Sequence, residues 1–388
     1  MTQSLAFIST QPDTAAAAAE IGQQVRSRFD GQPADALVVF ASPSHQHRLL
    51  LEALAHQCGT HTIVGASSAG EFTNSISGEG YVSVLALRSS RMRFSVAAGR
   101  NIGQDPLGAA RSVAAGFRGI AGDPLPHRAA LVMADALAGH TDALVEELTV
   151  ATGGNYRFFG GGAGDDARFS KTFVFAGTEV LTDAVVALEM LSMEPIGIGV
   201  AHGWEPTGPA LRVTEAQGSL VRSLNGAPAV EAFSDHAQST GQRFDADDPI
   251  PFFLHNILGI DSGGQHRLRV PLGVHADGSI SCAAAVPQGT LVHIMKTNAS
   301  SAIRAAEQAA RAALESVGGG RASAAIVFDC VATRLRLGAA FDDELRACAD
   351  LLSPAKFIGC NTYGQIARAE GQFGGFHNCT AVVCVLPD

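Results

Sequence analysis

The sequence predicts an α/β protein of two lobes, built from repeated strand-helix-strand units with glycine-rich turns and carrying an antiparallel insertion in the second lobe. Three observations predict it. The first is a recurrence. Ile63 to Phe72 (IVGASSAGEF), Phe158 to Asp165 (FFGGGAGD) and Phe357 to Ile366 (FIGCNTYGQI) each run from an apolar pair into glycine and small or polar residues, then to a second glycine followed by Glu71, Asp165 or Gln365. Apolar residues feeding such a bend describe a buried strand that ends where its backbone must turn or approach something closely. The second is that the flanks recur. Upstream lie ALVVF (36–40), AALVMA (129–134) and AAIVF (324–328); downstream lie YVSVLAL (81–87), DAVVALEM (183–190) and NCTAVVCVL (378–386). Continuous Val/Ile/Leu runs of this kind mean strands buried on both faces, as in α/β layers. The third is hairpin chemistry in residues 211–294, with tight turns at Asn225-Gly226, Gly263-Gly264 and Asp277-Gly278.

Taken in order, an alanine-rich helix runs from Thr14 to about Phe29, capped by Asp13 or Thr14. After the strand at Leu37 to Phe40, Ser44 caps a helix through about Gln57, with Leu50, Leu51, Leu54 and Cys58 on one face and His45, Glu52 and His56 on a solvated one. A strand near Met92 to Ala98 precedes a helix over Pro106 to Phe117. The second unit's helix, Thr141 to Thr152, stops at Gly153 and Gly154. Pro195 to Gly203 is an apolar strand leading to Trp204 and the Pro/Gly-rich EPTGP, which places the boundary between lobes 1–205 and 206–388. Ala299 to Ser316 is a strong helix halted by Gly318 to Gly320, and the third repeat closes the chain.

Composition narrows the function. A chain of 388 residues is long for one core, which favours two lobes. The net charge of −10 and the lack of a basic run argue against nucleic acid. No apolar stretch reaches the roughly 20 residues that span a bilayer. The N-terminus has no basic segment leading into an apolar core, so a secretory signal is not expected. Seven cysteines without a regular framework fit reduced thiols, and a cytoplasmic location is the expectation.

Phosphate-loop readings fail at the residue level. Gly65 and Gly70 have the spacing of a Walker loop, yet Glu71-Phe72 stands where a cation and a hydroxyl are required. The tract from Gly160 to Asp166 lacks the third glycine of a dinucleotide fingerprint, and no CxxC pair, HExxH or calcium-loop pattern occurs. A nucleophilic hydrolase or transferase would use Ser67, Ser68 or Cys360, which sit at strand-to-turn positions, with His377 not far from Cys360 in sequence; the GxSxG elbow is absent. Small residues in tight bends more often serve packing and capping, so a non-enzyme is the expectation.

The other polar groups near the turns are Glu71, Asp135, Asp165, Asp166, Asn361, Tyr363, His377 and Asn378. Without Asp166, and together with Ser67, Ser68, Gly70, Gly161 and Gly162, they form the candidate ligand-binding set, since polar groups and exposed amides at the ends of buried strands are what a small-molecule pocket requires. Singly, each serves equally well to cap a turn. The acidic members favour a ligand with an amino group.

The combination of FIGCNTYGQI followed by GGFHNCTAVVCVL, with IVGASSAGEF, GGGAGDDARFSKTFVF and GIGVAHGWEPTGP, resembles the FIST domain family of signal-transduction proteins. The resemblance covers an N-terminal segment over about 30–200 and a C-terminal one over about 210–375. It implies a sensory protein that binds a small ligand and reports to a separate signalling partner. Chains of this size without a fused output module are similar to bacterial nitric-oxide-sensing proteins, which bind haem b and regulate a histidine kinase or a cyclic-di-GMP enzyme. On that resemblance His377, in the FHN motif, and His202, beside Trp204, are the axial-ligand candidates, with His255, His275 and His293 as further options. The runner-up is a non-haem, amino-acid-like ligand. A homo-oligomer is left open.

Overall fold

The computed structural model describes residues 1–263, 265–368 and 375–388. Gly264 of the expected Gly263-Gly264 turn and Gly374 of the GGFHN run lie outside the described residues. The α/β class, the repeated units with glycine-rich turns and the antiparallel insertion are all present.

Three units share one plan. The first has strand Thr2–Ser9, helix Thr14–Arg28, strand Ala36–Ala41, helix His47–Cys58, strand Ile63–Ser67, hairpin Glu71–Thr73 with Ser77–Gly78, and strand Val82–Ser89. The second repeats it with Met92–Arg100, Pro106–Ala115, His127–Ala134, Thr141–Ala151, Arg157–Gly162, the hairpin Val174–Ala176 with Glu179–Leu181, and Ala184–Ser192. The third begins at Gly197–Ala201 and resumes after the insertion with Ala299–Ser316, Ala322–Cys330, Val331–Leu337, Phe341–Leu352, Lys356–Thr362, the hairpin Gln365–Arg368 with Gly375–His377, and Ala381–Pro387. The boundary at 205/206 falls where the insertion's first strand, Glu205–Gln217, starts.

Within each unit the two central strands are parallel and their outer neighbours antiparallel. The recurrent glycine has a steric cause. A Cβ at Gly65, Gly160 or Gly359 would stand 1.7, 1.9 or 2.2 Å from the carbonyl oxygen of Val39, Val132 or Val327, the paired residue on the parallel partner strand. A side chain at any of the three would push the two strands apart.

The hairpin after each glycine-rich turn leaves its own unit. That of the first unit pairs with Lys356–Thr362 of the third, that of the third with Arg157–Gly162 of the second, and that of the second with Ile63–Ser67 of the first. The exchange closes a ring, and each parallel strand's free edge is satisfied by a neighbouring unit. The inner faces of the three sheets meet in one core, where Phe328 lies against Phe40 and Phe159 at centroid distances of 5.4 and 6.4 Å. Helices cover the outer faces, so strands such as Ala36–Ala41 are buried throughout, as their continuous apolar runs predict.

Some local expectations change. The second helix starts at His47, not Ser44: the Ser44 hydroxyl meets that of Ser42, and the Gln46 amide is taken by the Thr14 hydroxyl. His45 is therefore not on a solvated face; it is buried against Thr14 and the Gly80 carbonyl. Strand Thr2–Ser9 was not expected and forms by pairing with Val82–Ser89. The insertion is a mostly antiparallel sheet that also holds the helices Ala229–Thr240 and Ile250–Phe253, which the hairpin signals obscured.

Candidate functional site

Because the three parallel strand pairs point the same way about the common core, their glycine-rich turns converge. Backbone hydrogen bonds stitch the turns together. Gly164 N–H donates to the Ser67 carbonyl at 2.9 Å and Asp166 N–H to that of Ser68 at 3.1 Å; Ala69 N–H donates to Asn361 at 3.0 Å and Asn361 N–H to Gly70 at 2.8 Å. Gly162 N–H donates to Gly364 at 2.8 Å and Tyr363 N–H to Gly162 at 3.0 Å. Gly161 is part of the same contact, since a Cβ there would stand 2.7 Å from the Gly364 carbonyl oxygen. The structure thus brings together Ser67, Ser68, Gly70, Glu71, Gly161, Gly162, Asp165, Asn361 and Tyr363.

Several of these side chains are fully engaged within the protein. Ser67 Oγ accepts from the Phe173 amide at 2.9 Å. Glu71 accepts from the Ser68 hydroxyl and from the Tyr81 amide, the latter at 3.0 Å. Asp165 accepts from the amides of Phe169, Ser170 and Lys171 at 2.7–2.8 Å and from the Tyr363 hydroxyl. Burial alone would raise the Asp165 carboxyl, but these hydrogen bonds, Tyr363's first, hold it below the usual carboxylate range. Asp135 accepts from the Asp183 amide at 2.6 Å and from the Thr172 hydroxyl. Asn378 accepts from the Val270 amide at 3.4 Å and donates to the His377 carbonyl at 3.3 Å.

One group of side chains is not satisfied in this way. Asn361 is 1% exposed, yet among the described residues neither its Oδ1 nor its Nδ2 has a hydrogen-bond partner. Asp166 Oδ1 and Arg334 Nε are buried and equally unpartnered. Asn361 and Arg334 share one place: a Cβ on Gly70, whose φ is +125°, would stand 2.9 Å from Asn361 Oδ1 and 3.3 Å from Arg334 Nε, while Asp166 joins the same turns through its amide on the Ser68 carbonyl and is within electrostatic reach of Arg334 and Glu71. Glu71 forms the wall beside them. Burial pushes its carboxyl up to about 8, and the negative charges of Asp166 and Glu79 push the same way. Burial also raises the Asp166 carboxyl. Glu79, paired with Arg334, and Arg168, near Asp166, form the exposed outer edge. The result is a niche between all three units that offers two unpaired acceptors and two unpaired donors in a low-dielectric setting, where unmet hydrogen bonds are costly.

The sequence pointed to Asn361, Gly70 and Glu71 through the repeat. Arg334 was missed, because it lies on the helix Val331–Leu337, outside any motif, and only the hairpin exchange brings it over Gly70.

Of the axial-ligand candidates, His202 is engaged at both ring nitrogens and His377 is enclosed. His202 donates from Nε2 to the His266 carbonyl at 3.0 Å and accepts at Nδ1 from the Trp204 amide at 3.3 Å, so both ring nitrogens are used. The void beside it measures about 10 Å³, room for one water. His377 is 1% exposed; burial, and then Arg267 and Arg269, lower its imidazole to about 3. A ring so enclosed has no open face for a macrocycle. Among the described residues no cluster of three His, Cys, Asp or Glu side chains could hold a metal ion. The nucleophile candidates are likewise enclosed: Ser68 and Cys360 have no exposed surface, and burial, with Glu71 nearby, raises the Cys360 thiol well above its ordinary value. Among the described residues no helix is long and apolar enough to cross a membrane.

Comparison with known proteins places these features in context. The FIST N domain matches residues 35–227 and the FIST C domain residues 229–368. An uncharacterized protein of Mycobacterium tuberculosis is 24% identical over 396 residues, covering 98% of both chains, and one of Mycobacterium bovis is 24% identical over 398 residues with the same coverage. An uncharacterized protein of Methanocaldococcus jannaschii is 35% identical over 92 residues, 24% of this chain and 17% of that one. Among solved structures, the cyanuric acid hydrolase from A. caulinodans covers 99% of both chains at 10% identity with a TM-score of 0.35, a likeness too slight to bear on activity.

Proposed function

We propose, from the premise that this chain belongs to the FIST domain family, whose domains are small-ligand sensors of signalling proteins, that it senses a small zwitterionic, amino-acid-like molecule held in the niche around Asn361. The single observation that carries this reading is Asn361 itself, buried to 1% exposure with both polar atoms unpartnered. The complementarity is chemical. Arg334 Nε–H and Asn361 Nδ2 are donors suited to a carboxylate; Asp166 Oδ1 and Asn361 Oδ1 are acceptors suited to an ammonium group, with the Glu79 carboxylate adding negative charge beside them. Each group on the ligand would satisfy a protein group that is otherwise desolvated without compensation.

All three units contribute to the niche, so a ligand there draws Gly70 and Glu71, Asp166, and Asn361 and Arg334 into one network. A partner protein, in this proposal a histidine kinase or a cyclic-di-GMP enzyme, then reads the arrangement through its different affinity for the filled and empty forms.

The test is a calorimetric titration of the twenty amino acids against the wild type, Asn361→Ala and Arg334→Gln. Binding of one amino acid to the wild type, weakened at least about tenfold in both variants by the loss of a charge-assisted or buried hydrogen bond, is the expected result. Absence of binding by any of them, or binding that both variants retain, would overturn it.

A further inference from the structure

We infer that the chain carries a second ligand site, an apolar cavity between the insertion and the central turns, which takes a neutral molecule bearing a flat ring. The cavity has a volume of about 620 Å³, within the range of small-molecule sites. It is bounded by Phe253, Val270 and Leu272 from the insertion and by Phe169, Leu335 and Tyr363 from the second and third units. No charged residue and no histidine lies among its described lining residues. An ionised group placed there would be buried without a counter-charge, which selects for neutral ligands.

Its polar atoms are largely spoken for. The Tyr363 hydroxyl is bound to Asp165, and Asn378 uses Oδ1 for the Val270 amide and Nδ2 for the His377 carbonyl. A ligand therefore gains mainly from contact area. Flatness follows from one wall: the rings of Phe169 and Tyr363 stack at a centroid distance of 4.3 Å and an interplanar angle of 12°, and a planar molecule can extend that stack.

The mouth differs from ordinary surface. Among the described residues, Leu137, Phe169, Ile250, Leu272 and Leu335 are exposed large apolar side chains, between 41% and 51%, and all five border this cavity. Such clustering marks a binding site rather than random surface. Asp166, Ala167 and Phe169 all adopt left-handed backbone, with φ of +54°, +58° and +51°, in a loop held by the Asp165 carboxylate. Strain of this kind persists only where the surroundings impose it, and it positions Phe169 over Tyr363.

The cavity is separate from the niche around Asn361, and the two are joined through shared elements. The helix Val331–Leu337 sends Arg334 to the niche and Val331, Ala332 and Leu335 to the cavity; the strained loop sends Asp166 to the niche and Ala167 and Phe169 to the cavity. The cavity's occupancy stands on its own lining, whatever the niche binds.

The experiment is a fluorescence titration of the full chain with N-phenyl-1-naphthylamine, a neutral ring-bearing probe, and with its anionic relative 8-anilinonaphthalene-1-sulfonate. Leu335→Glu and Leu272→Glu place a charge at the mouth of the cavity on side chains exposed enough to be replaced without unfolding; Leu49→Glu, equally exposed but on the helix His47–Cys58, is the control. The expected result is saturable binding of the neutral probe, at least tenfold weaker in the two mouth variants, unchanged in Leu49→Glu, and at least tenfold tighter than that of the anion. Non-saturable binding, equal affinity in the mouth variants while circular dichroism shows them folded, or preference for the anion would overturn the inference.

Discussion

Glu71 in the first unit and Gln365 in the third hold their chains in the same way. Glu71 accepts from the amide of Tyr81, the residue before Val82–Ser89, and from the Ser68 hydroxyl; Gln365 accepts from the amide of Thr380, the residue before Ala381–Pro387, and donates to the Thr362 hydroxyl at 2.9 Å. An amide thus does in one unit what a carboxyl does in the other, and only the carboxyl carries a proton that depends on pH.

That difference predicts a pH effect. Burial holds the Glu71 carboxyl at about 8 against an ordinary 4.5. Between these values the folded state keeps a proton that the unfolded state releases, so the contribution to stability is complete below about 4.5 and falls as pH rises through about 8. Glu71→Gln is expected to remove this component. Urea unfolding at pH 5 and pH 8.5 should show a larger loss in the wild type than in the variant; the other carboxyls raised by burial are common to both and cancel in the comparison.

Asn361 separates function from stability. Truncating this unpartnered buried amide, Asn361→Ala, is expected to cost no more than about 2 kcal/mol, the cost of the small space left behind, because no hydrogen bond is lost. Amino-acid binding is expected to disappear in the same variant. Gly70→Ala occupies the same space from the other side but forces a left-handed residue against Asn361 Oδ1. It should lose both binding and about 1–3 kcal/mol. Chemical unfolding and calorimetry on the two variants distinguish these outcomes.

The recurrent glycine gives a third prediction. Gly65→Ala, Gly160→Ala and Gly359→Ala each put a methyl group within 1.7–2.2 Å of a backbone oxygen on the neighbouring parallel strand. Backbone cannot rotate away as a side chain can, so each is expected to cost about 3 kcal/mol or more, beyond ordinary overpacking. Similar losses at the three sites, read by thermal unfolding, would reflect their equivalence.

Arg269 anchors the insertion. It is 1% exposed and donates to the carbonyls of Ala285, Leu268 and Phe376 and, at 2.9 Å, to Asp142 of the second unit. Arg269→Met should destabilise by about 2–4 kcal/mol, less than the full cost of breaking a buried pair because Asp142 keeps some solvent contact. Asp142→Asn, which leaves a neutral acceptor for the arginine, should cost less. Proteolysis within residues 205–296 should accelerate in Arg269→Met if the anchor holds the insertion down, and stay unchanged if it does not.

The sequence by itself determined the local units: apolar runs buried on both faces, helices such as Ala299–Ser316 whose limits follow from composition and glycine stops, and three strand ends that cannot carry a Cβ. These follow from periodicity and sterics among neighbours in the chain. The same local signals could not reveal strand Thr2–Ser9, which owes its form to pairing with residues 82–89, nor the helix Ala229–Thr240 within a region full of turns. Only the tertiary structure decided that each hairpin crosses to another unit, because edge-strand hydrogen bonds are satisfied by whatever strand lies nearest in space and leave no mark on sequence order. That exchange sets the fate of the polar residues. It places Ser67 against Phe173 and folds the 165–171 loop around Asp165, while it brings Asn361 and Arg334 close to Gly70 with polar atoms that have no partner among the described residues.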